Sequence, residues 1–315
     1  MEDKRNLAWA MLEEMNRVFI GKNDFNFQVL AAILADGHIL LEDIPGVGKT
    51  TLALAVSRMM NLEGKRVQFT PDVLPSDLTG FTVYRKDLQQ FVYQPGAVFC
   101  NLLLADEINR TSPKTQSALL EVMEERQVTV DGETRPVPSP FIVIATQNPP
   151  GTTGTQRLPE AQMDRFLVSL TIGYPDVESE ITMAKEVNEG KRSDRIRPLI
   201  NGEMLRELQR EVEGVFIHDR IYEYIVSLVT ATRKQPELEL GVSPRGTLAM
   251  VKLARAAAWL SSRDFVAPAD VAGEFLAVTR HRVKLSRRAE MEGISRDNIL
   301  NRILETVEKP SFRKK

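Results

Sequence analysis

Three short apolar runs restrict what this chain can fold into. They are HILLED (38–43), VFCNLLLADE (98–107) and FIVIATQN (141–148), each rich in Val, Ile, Leu and Phe and each closed by polar, loop-forming residues. Continuous apolar runs of roughly four to eight residues suit strands covered on both faces, as in a parallel sheet between helices. RVQFTPD (66–72) and RFLVSLTIGYPD (165–176) are two weaker runs of the same kind, which makes five expected strands. Between them lie helical segments, notably TTLALAVSRMM (50–60) and SPKTQSALLEVMEER (112–126). Residues 1–176 therefore read as an α/β unit with a five-stranded parallel sheet.

In such a sheet, ligands bind beyond the carboxyl ends of the strands. The residues that close the runs, Asp43, Asp106 with Glu107, and Asn148, are expected along one edge.

The pattern changes at about residue 177. Segments such as IYEYIVSLVTATRK (221–234) and RGTLAMVKLARAAAWL (245–260) repeat apolar residues every three or four positions, as amphipathic helices do. Pro268 stands where a first helical turn tolerates proline, and Asp270 where the positive helix end favours an acid. Residues 177–315 are expected as a second, all-helical domain, with an exposed loop at 188–198 and a frayed tail from Lys309. A chain of 315 residues is long enough for two such cores.

The net charge of −2 gives no strong positive field, so nucleic acid and anionic membranes are not favoured partners. No window approaches the roughly 18 apolar residues that insertion into a bilayer needs. Cys100, the single cysteine, cannot form an intrachain disulfide, and three histidines supply no Cys/His metal cluster. A soluble, cytoplasmic protein is the expectation.

The first run opens into LLEDIPGVGKTTLA (40–53). A phosphate-cradling loop reads G-x-x-x-x-G-K-[ST]; Gly48, Lys49 and Thr50 match it, but Asp43 stands in place of the first glycine. Backbone N–H groups around Gly46, Val47 and Gly48 can wrap a phosphate, with Pro45 and Thr51 flanking the loop, and the following helix offers its positive end. Lys49 would reach the β- and γ-phosphates of ATP, and the Thr50 hydroxyl would bind Mg²⁺. Adjacent carboxylates at the mouth of a strand suit hydrolysis: Asp106 holding the metal through water, Glu107 polarising an attacking water. Asn148 can orient that water, although a plain turn before Pro149 and Pro150 explains it equally.

The segments LLEDIPGVGKT (40–50), PGAVFCNLLLADEINRTSPKTQSALLEVMEERQVTVDG (95–132), FIVIATQNP (141–149), LPEAQMDRFL (158–167) and GVSPRGTLAMVKLARAAA (241–258) together resemble the MoxR family of AAA+ ATPases. They occur in the family's order and cover most of residues 18–283. The resemblance implies an αβα core followed by a helical lid, with nucleotide bound between the two and between subunits of a ring, commonly a hexamer. It implies that Arg165 is an arginine finger acting on a neighbour's site and that Arg245 touches the phosphates of its own subunit. Ile20 and Gly21 would pack against adenine. Read from the residues alone, Arg165 makes a surface salt bridge and SPRG is a helix start capped by Ser243.

Two inserts are also implied, one in a core helix at about 76–96 and a β-hairpin at about 126–140. The second has its own logic, since QVTV, the turn residues Asp131 and Gly132, and TRPV alternate as a hairpin does. The family implies a chaperone-like role in maturing client proteins, including metal-cofactor insertion, alongside proteins with von Willebrand factor type A domains. A nucleic-acid motor, supported by VYRKD (83–87), and a nucleotide-gated scaffold with little turnover are the rivals. A small-molecule kinase would need an acceptor pocket, and none is legible.

Overall fold

The computed structural model describes residues 2–43, 47–148, 158–185 and 196–311. Pro45, Gly46, Pro149, Pro150 and residues 188–195 of the 188–198 loop lie outside the described residues. The chain runs α1 (Glu2–Val18), α2 (Asn23–Leu34), β1 (Ile39–Glu42), α3 (Lys49–Met59), β2 (Gly64–Gln68), α4 (Pro75–Thr79), β3 (Phe81–Arg85), β4 (Gln90–Gln94) and β5 (Leu102–Asp106). It continues through α5 (Pro113–Glu125), β6 (Gln127–Val130), β7 (Glu133–Pro136), β8 (Ile142–Gln147), α6 (Glu160–Met163), β9 (Val168–Leu170) and α7 (Val177–Lys185). Beyond these come α8 (Gly202–Glu213), α9 (Asp219–Arg233), β10 (Leu238–Leu240), α10 (Pro244–Leu260), α11 (Pro268–Thr279), β11 (Lys284–Leu285), α12 (Arg287–Met291) and α13 (Arg296–Thr306).

Five parallel strands form the central sheet in the order β2-β5-β8-β1-β9. Their unbroken apolar runs are explained by burial on both faces. Ile39, Leu41, Leu102, Leu104, Ile142 and Ile144 pack with α1, α2, α3 and the lid helices, while Leu40, Leu103, Ala105, Val143 and Ala145 pack with α5 on the other face. The order places β8 between β1 and β5, with Glu42 opposite Gln147 and Gln68 opposite Asp106. The three polar strand ends are thereby brought to one edge.

The insert expected inside a helix takes a different form. Helix is confined to Pro75–Thr79, and β3 and β4 then form an antiparallel hairpin. Alternating, aromatic-rich FTVYR and QFVYQ favour a pleated pair over a helix. The second hairpin joins β6 to β7 through Asp131 and Gly132, both with positive φ, as a type I′ turn demands. The two hairpins touch where the Arg135 guanidinium stacks over Tyr93, 4.0 Å from the ring centroid.

The lid is helical apart from a ribbon of β10 and β11, strands too short to leave a periodic signal in sequence. As expected, Pro268 begins α11 and the Asp270 carboxylate caps it, accepting the Ala267 amide at 2.7 Å. His38, in the loop before β1, and His281, just past the end of α11, are both buried. His38 bridges the Met123 carbonyl and the Val143 amide, and burial pushes its pKa down to about 3. His218 does cap a helix, that of α9. Cys100 is a buried apolar filler whose thiol burial raises to about 11.

Candidate nucleotide site

Gly48 ends the loop after β1 with φ +100°, a conformation L side chains rarely adopt. It caps α3 without any side-chain hydrogen bond, so the first amides of that helix are left for a ligand. Lys49 follows, 8% exposed, and donates from Nζ to the Asp43 carbonyl at 2.7 Å. Burial pushes its ammonium below the usual lysine range, while Asp43, Asp106 and Glu107 pull it back up. A buried cation drawn this way is a strong anion receptor.

Gly48, Lys49, Thr50, Arg66, Gln68, Asp106, Glu107 and Asn148 line one cavity of about 360 Å³. Thr51, one step further along α3, is half-buried and outside that lining. Neighbouring strands orient the acids. Asp106 accepts the Thr146 hydroxyl from β8 at 2.7 Å and Arg66 from β2 at 2.7 Å. The Thr146 oxygen in turn accepts the Glu107 amide at 2.8 Å.

Glu107 has left-handed backbone angles, φ 55° and ψ 47°, which cost about 1 kcal/mol for a residue with a side chain. That turn swings its carboxylate into the cavity, where Arg110 donates at 2.9 Å. Burial raises the Glu107 carboxyl, but hydrogen bonds from Arg110 and Asn148 outweigh it and hold the group below its ordinary range. Asn148 is pinned by Asn109, whose amide bonds both its N–H and its C=O. Its Oδ1 is buried without a hydrogen-bond partner among the described residues. An orphan acceptor in a polar cavity points to a water or ligand donor.

These residues fit a nucleoside triphosphate with a divalent metal. Thr50 and Asp106 supply oxygen donors, and Lys49 with the α3 amides supplies the anion site. No cluster of three or more His, Cys, Asp or Glu able to hold a metal occurs among the described residues. Mg²⁺ bound with substrate phosphates needs only one or two protein ligands.

A second cavity, of about 490 Å³, is lined by Gly21, Lys22, Asn23, Asp24, Phe25, Gln28, Thr171 and Ile172. Ile20 immediately precedes it, and Phe19 lies 3.2 Å from where a Gly48 side chain would begin. The segment expected to hold adenine thus abuts the phosphate loop.

Arg165 and Arg245 are not brought to the phosphate cavity. They line a third cavity, of about 340 Å³, with Asp36, Glu124, Arg126, Lys252 and others. Arg165 pairs with Glu124 at 3.0 Å and donates to the Leu120 carbonyl; Arg245 pairs with the same Glu124. In this arrangement Arg245 is held at the third cavity, away from the phosphate cavity of its own chain. The reason lies in a latch: Ser243 caps α10 and also donates to Asp164 at 2.8 Å. The buried Arg282 donates to Asp164 at 2.7 Å and to the Leu167 carbonyl at 3.0 Å. The start of α10 is held against residues 164–167.

A family model described as ATPase family associated with various cellular activities matches residues 38–168, and an AAA lid domain model matches 230–303. A protein of Mycobacterium tuberculosis named Chaperone MoxR1 is 40% identical over 94% of this chain and 81% of its own length. The chain belongs to the MoxR family of AAA+ ATPases. An uncharacterised Bacillus subtilis relative, YeaC, is 48% identical over 98% of this chain and 97% of its own. A crystal structure of a candidate ATPase from Cytophaga hutchinsonii superposes with a TM-score of 0.90 at 36% identity, covering 98% of this chain and 96% of that one. The αβα core and helical lid of this MoxR-family chain are accordingly the AAA+ architecture.

Arg66, Asn109, Arg110, Thr146, Asp164 and Arg282 carry the site's geometry without having stood out in the sequence. Only Asn109, a polar residue two positions after the acidic pair, left a signal that could have marked it.

Proposed function

We propose that this MoxR-type chain is a Mg²⁺-dependent ATPase that works as a ring of identical subunits, a hexamer by family resemblance, and remodels or matures a client protein. The convergence of Lys49, Thr50, Asp106, Glu107 and Asn148 on one cavity carries the reading. In it, Lys49 and the loop amides bind the phosphates, with Pro45, Gly46, Val47 and Thr51 completing the cradle. Thr50 holds the metal directly and Asp106 through water. Bound ATP and Mg²⁺ would supply the scissile anhydride and neutralise its charge. Glu107, kept ionised by Arg110 and Asn148, accepts a proton from the attacking water, and the Asn148 Oδ1 accepts a hydrogen bond from that water. Ile20 and Gly21 face the base.

Arg165 stabilises developing charge at a neighbour's site. Arg245, released from Glu124, touches the phosphates bound to its own subunit. We place the boundary between the core and the lid near residue 176. No helix among the described residues is long and apolar enough to cross a membrane, and we assign the protein to the cytoplasm. The client is proposed as a protein complex, including one with a von Willebrand factor type A domain or one that receives a metal cofactor. The nucleic-acid rival loses part of its support, because Arg85 in VYRKD is paired with Asp87 at 2.7 Å.

Steady-state phosphate release tests the reading. Turnover that requires Mg²⁺, disappears in Lys49→Ala and ignores single- and double-stranded DNA supports it. Turnover that is absent from the wild type, or is stimulated several-fold by DNA, overturns it.

A further inference from the structure

Asp43 stands where phosphate loops carry their first glycine, and its side chain has a destination of its own. It is 4% exposed beside a site that binds anions, where a further negative charge does nothing for phosphate affinity. Its Oδ2 accepts the Ile172 amide at 2.5 Å and the Gly173 amide at 3.1 Å. Its main-chain carbonyl accepts the Lys49 ammonium at 2.7 Å. One residue therefore joins the phosphate-binding lysine to the chain leaving β9.

That chain is the way into the lid. Thr171 donates to the Glu42 carbonyl at 3.3 Å, and Lys22 donates to the Tyr174 carbonyl at 2.7 Å. Gly173 has φ +65°, so the backbone turns there in a conformation other residues resist. Asp176 then caps the entry to α7, accepting the Ser179 amide at 2.8 Å. Residues 171–176 are a short tether whose inner end is fixed on Glu42 and Asp43.

We propose that Asp43 is a positioning residue that carries the occupancy of the phosphate loop to the start of the lid. When Lys49 turns its ammonium from the Asp43 carbonyl to a phosphate, residue 43 loses one of its anchors. Its carboxylate stays on Ile172 and Gly173, so any shift of the backbone at 43 is delivered to the tether. A glycine at this position would leave the phosphate contacts in place and have no acceptor with which to pull. The inference rests on the nucleotide reading above and adds how that site is coupled to the lid.

Hydrogen exchange of the full chain, read by mass spectrometry with and without Mg²⁺ and a non-hydrolysable ATP analogue, tests it. In the wild type the analogue changes the exchange of residues 171–185. Asp43→Gly binds the analogue within about threefold of wild type. Its Ile172 and Gly173 amides exchange about tenfold faster without nucleotide, and the analogue no longer alters residues 171–185. Asp43→Asn keeps the shape and an acceptor oxygen, and retains the response. If the glycine variant does not fold, by its circular dichroism melt, Asp43→Ala replaces it with the same expectation.

An undiminished response in Asp43→Gly overturns the proposal. So does a folded variant whose affinity falls more than about tenfold, since the carboxylate would then serve binding itself. A wild type that binds the analogue without a change at 171–185 refutes the coupling alone. One that does not bind the analogue refutes the nucleotide reading.

Discussion

Arg165 and Arg245 meet on a single carboxylate, that of Glu124, at 3.0 and 2.5 Å. One belongs to the core and the other to the lid, and both lie outside the phosphate cavity of their own chain. Glu124 parks the two cations side by side on a partly exposed surface, from which Arg165 can turn to a neighbouring subunit's phosphates. Arg165→Ala and Arg245→Ala should each lose at least about tenfold in ATPase rate, since a finger arginine is worth far more than that elsewhere. Mixing Arg165→Ala with Lys49→Ala should restore part of the activity, because each subunit supplies what the other lacks, whereas mixing Arg245→Ala with Lys49→Ala should not. Restoration of Arg245→Ala as well would put the lid arginine to work at a neighbour's site.

The lid latch makes a stability prediction. Arg282 is buried, with a side chain 2% exposed, and burial lowers its pKa to about 10 even with Asp164 holding it up. Asp164→Ala leaves that charge without its carboxylate and should cost about 3–5 kcal/mol in urea unfolding. The double variant Asp164→Leu with Arg282→Met should cost clearly less than the sum of its parts. Additive losses would mean the two side chains do not depend on one another.

A buried acid sets a pH dependence unrelated to catalysis. Glu274 on α11 is 4% exposed, and burial, with Asp270 and Asp24 nearby, raises its pKa from 4.5 to about 7 despite a hydrogen bond from Gln28. Between those two values the folded chain holds a proton that the unfolded chain has released. Stability should therefore fall as pH rises through this window and stay lower above it. Glu274→Gln should flatten the dependence and gain about 1–3 kcal/mol at pH 8, measured by thermal melts across pH 5–8. An unchanged profile would show that Glu274 is not the group responsible.

Arg66 reaches the Asp106 carboxylate at 2.7 Å from a half-exposed side chain. A cation there competes with a metal for the same acid. Arg66→Ala should lower the Mg²⁺ concentration for half-maximal turnover by about two- to fivefold, in line with the small worth of an exposed ion pair. A higher requirement would instead make Arg66 a phosphate ligand.

What could be read in the sequence follows physical lines. β1, β5 and β8 announced themselves because a strand buried on both faces must be apolar at every position, and the polar residue that breaks the run marks its carboxyl end. Asp106, Glu107 and Asn148 were placed by that rule, and Lys49 by the G-K-[ST] motif that follows β1. Glu107's left-handed backbone, the Thr146 hydroxyl shared between two strand ends, and Arg66 one strand away depend on strand order, which a linear pattern does not encode. The meeting of Arg165 with Arg245 depends on the latch through Asp164 and Arg282, residues 118 positions apart. The β3–β4 hairpin was missed because the alternation of FTVYR was read through the family's helix insert instead.

The most direct test of the account is Glu107→Gln, assayed for both nucleotide binding and hydrolysis. The substitution keeps the side chain's shape and removes the proton acceptor that Arg110 and Asn148 hold ionised. Binding of Mg²⁺-ATP should remain within about threefold of wild type while turnover falls by at least about a hundredfold. Turnover at the wild-type rate would contradict the account and leave a protein that binds nucleotide without using this carboxylate.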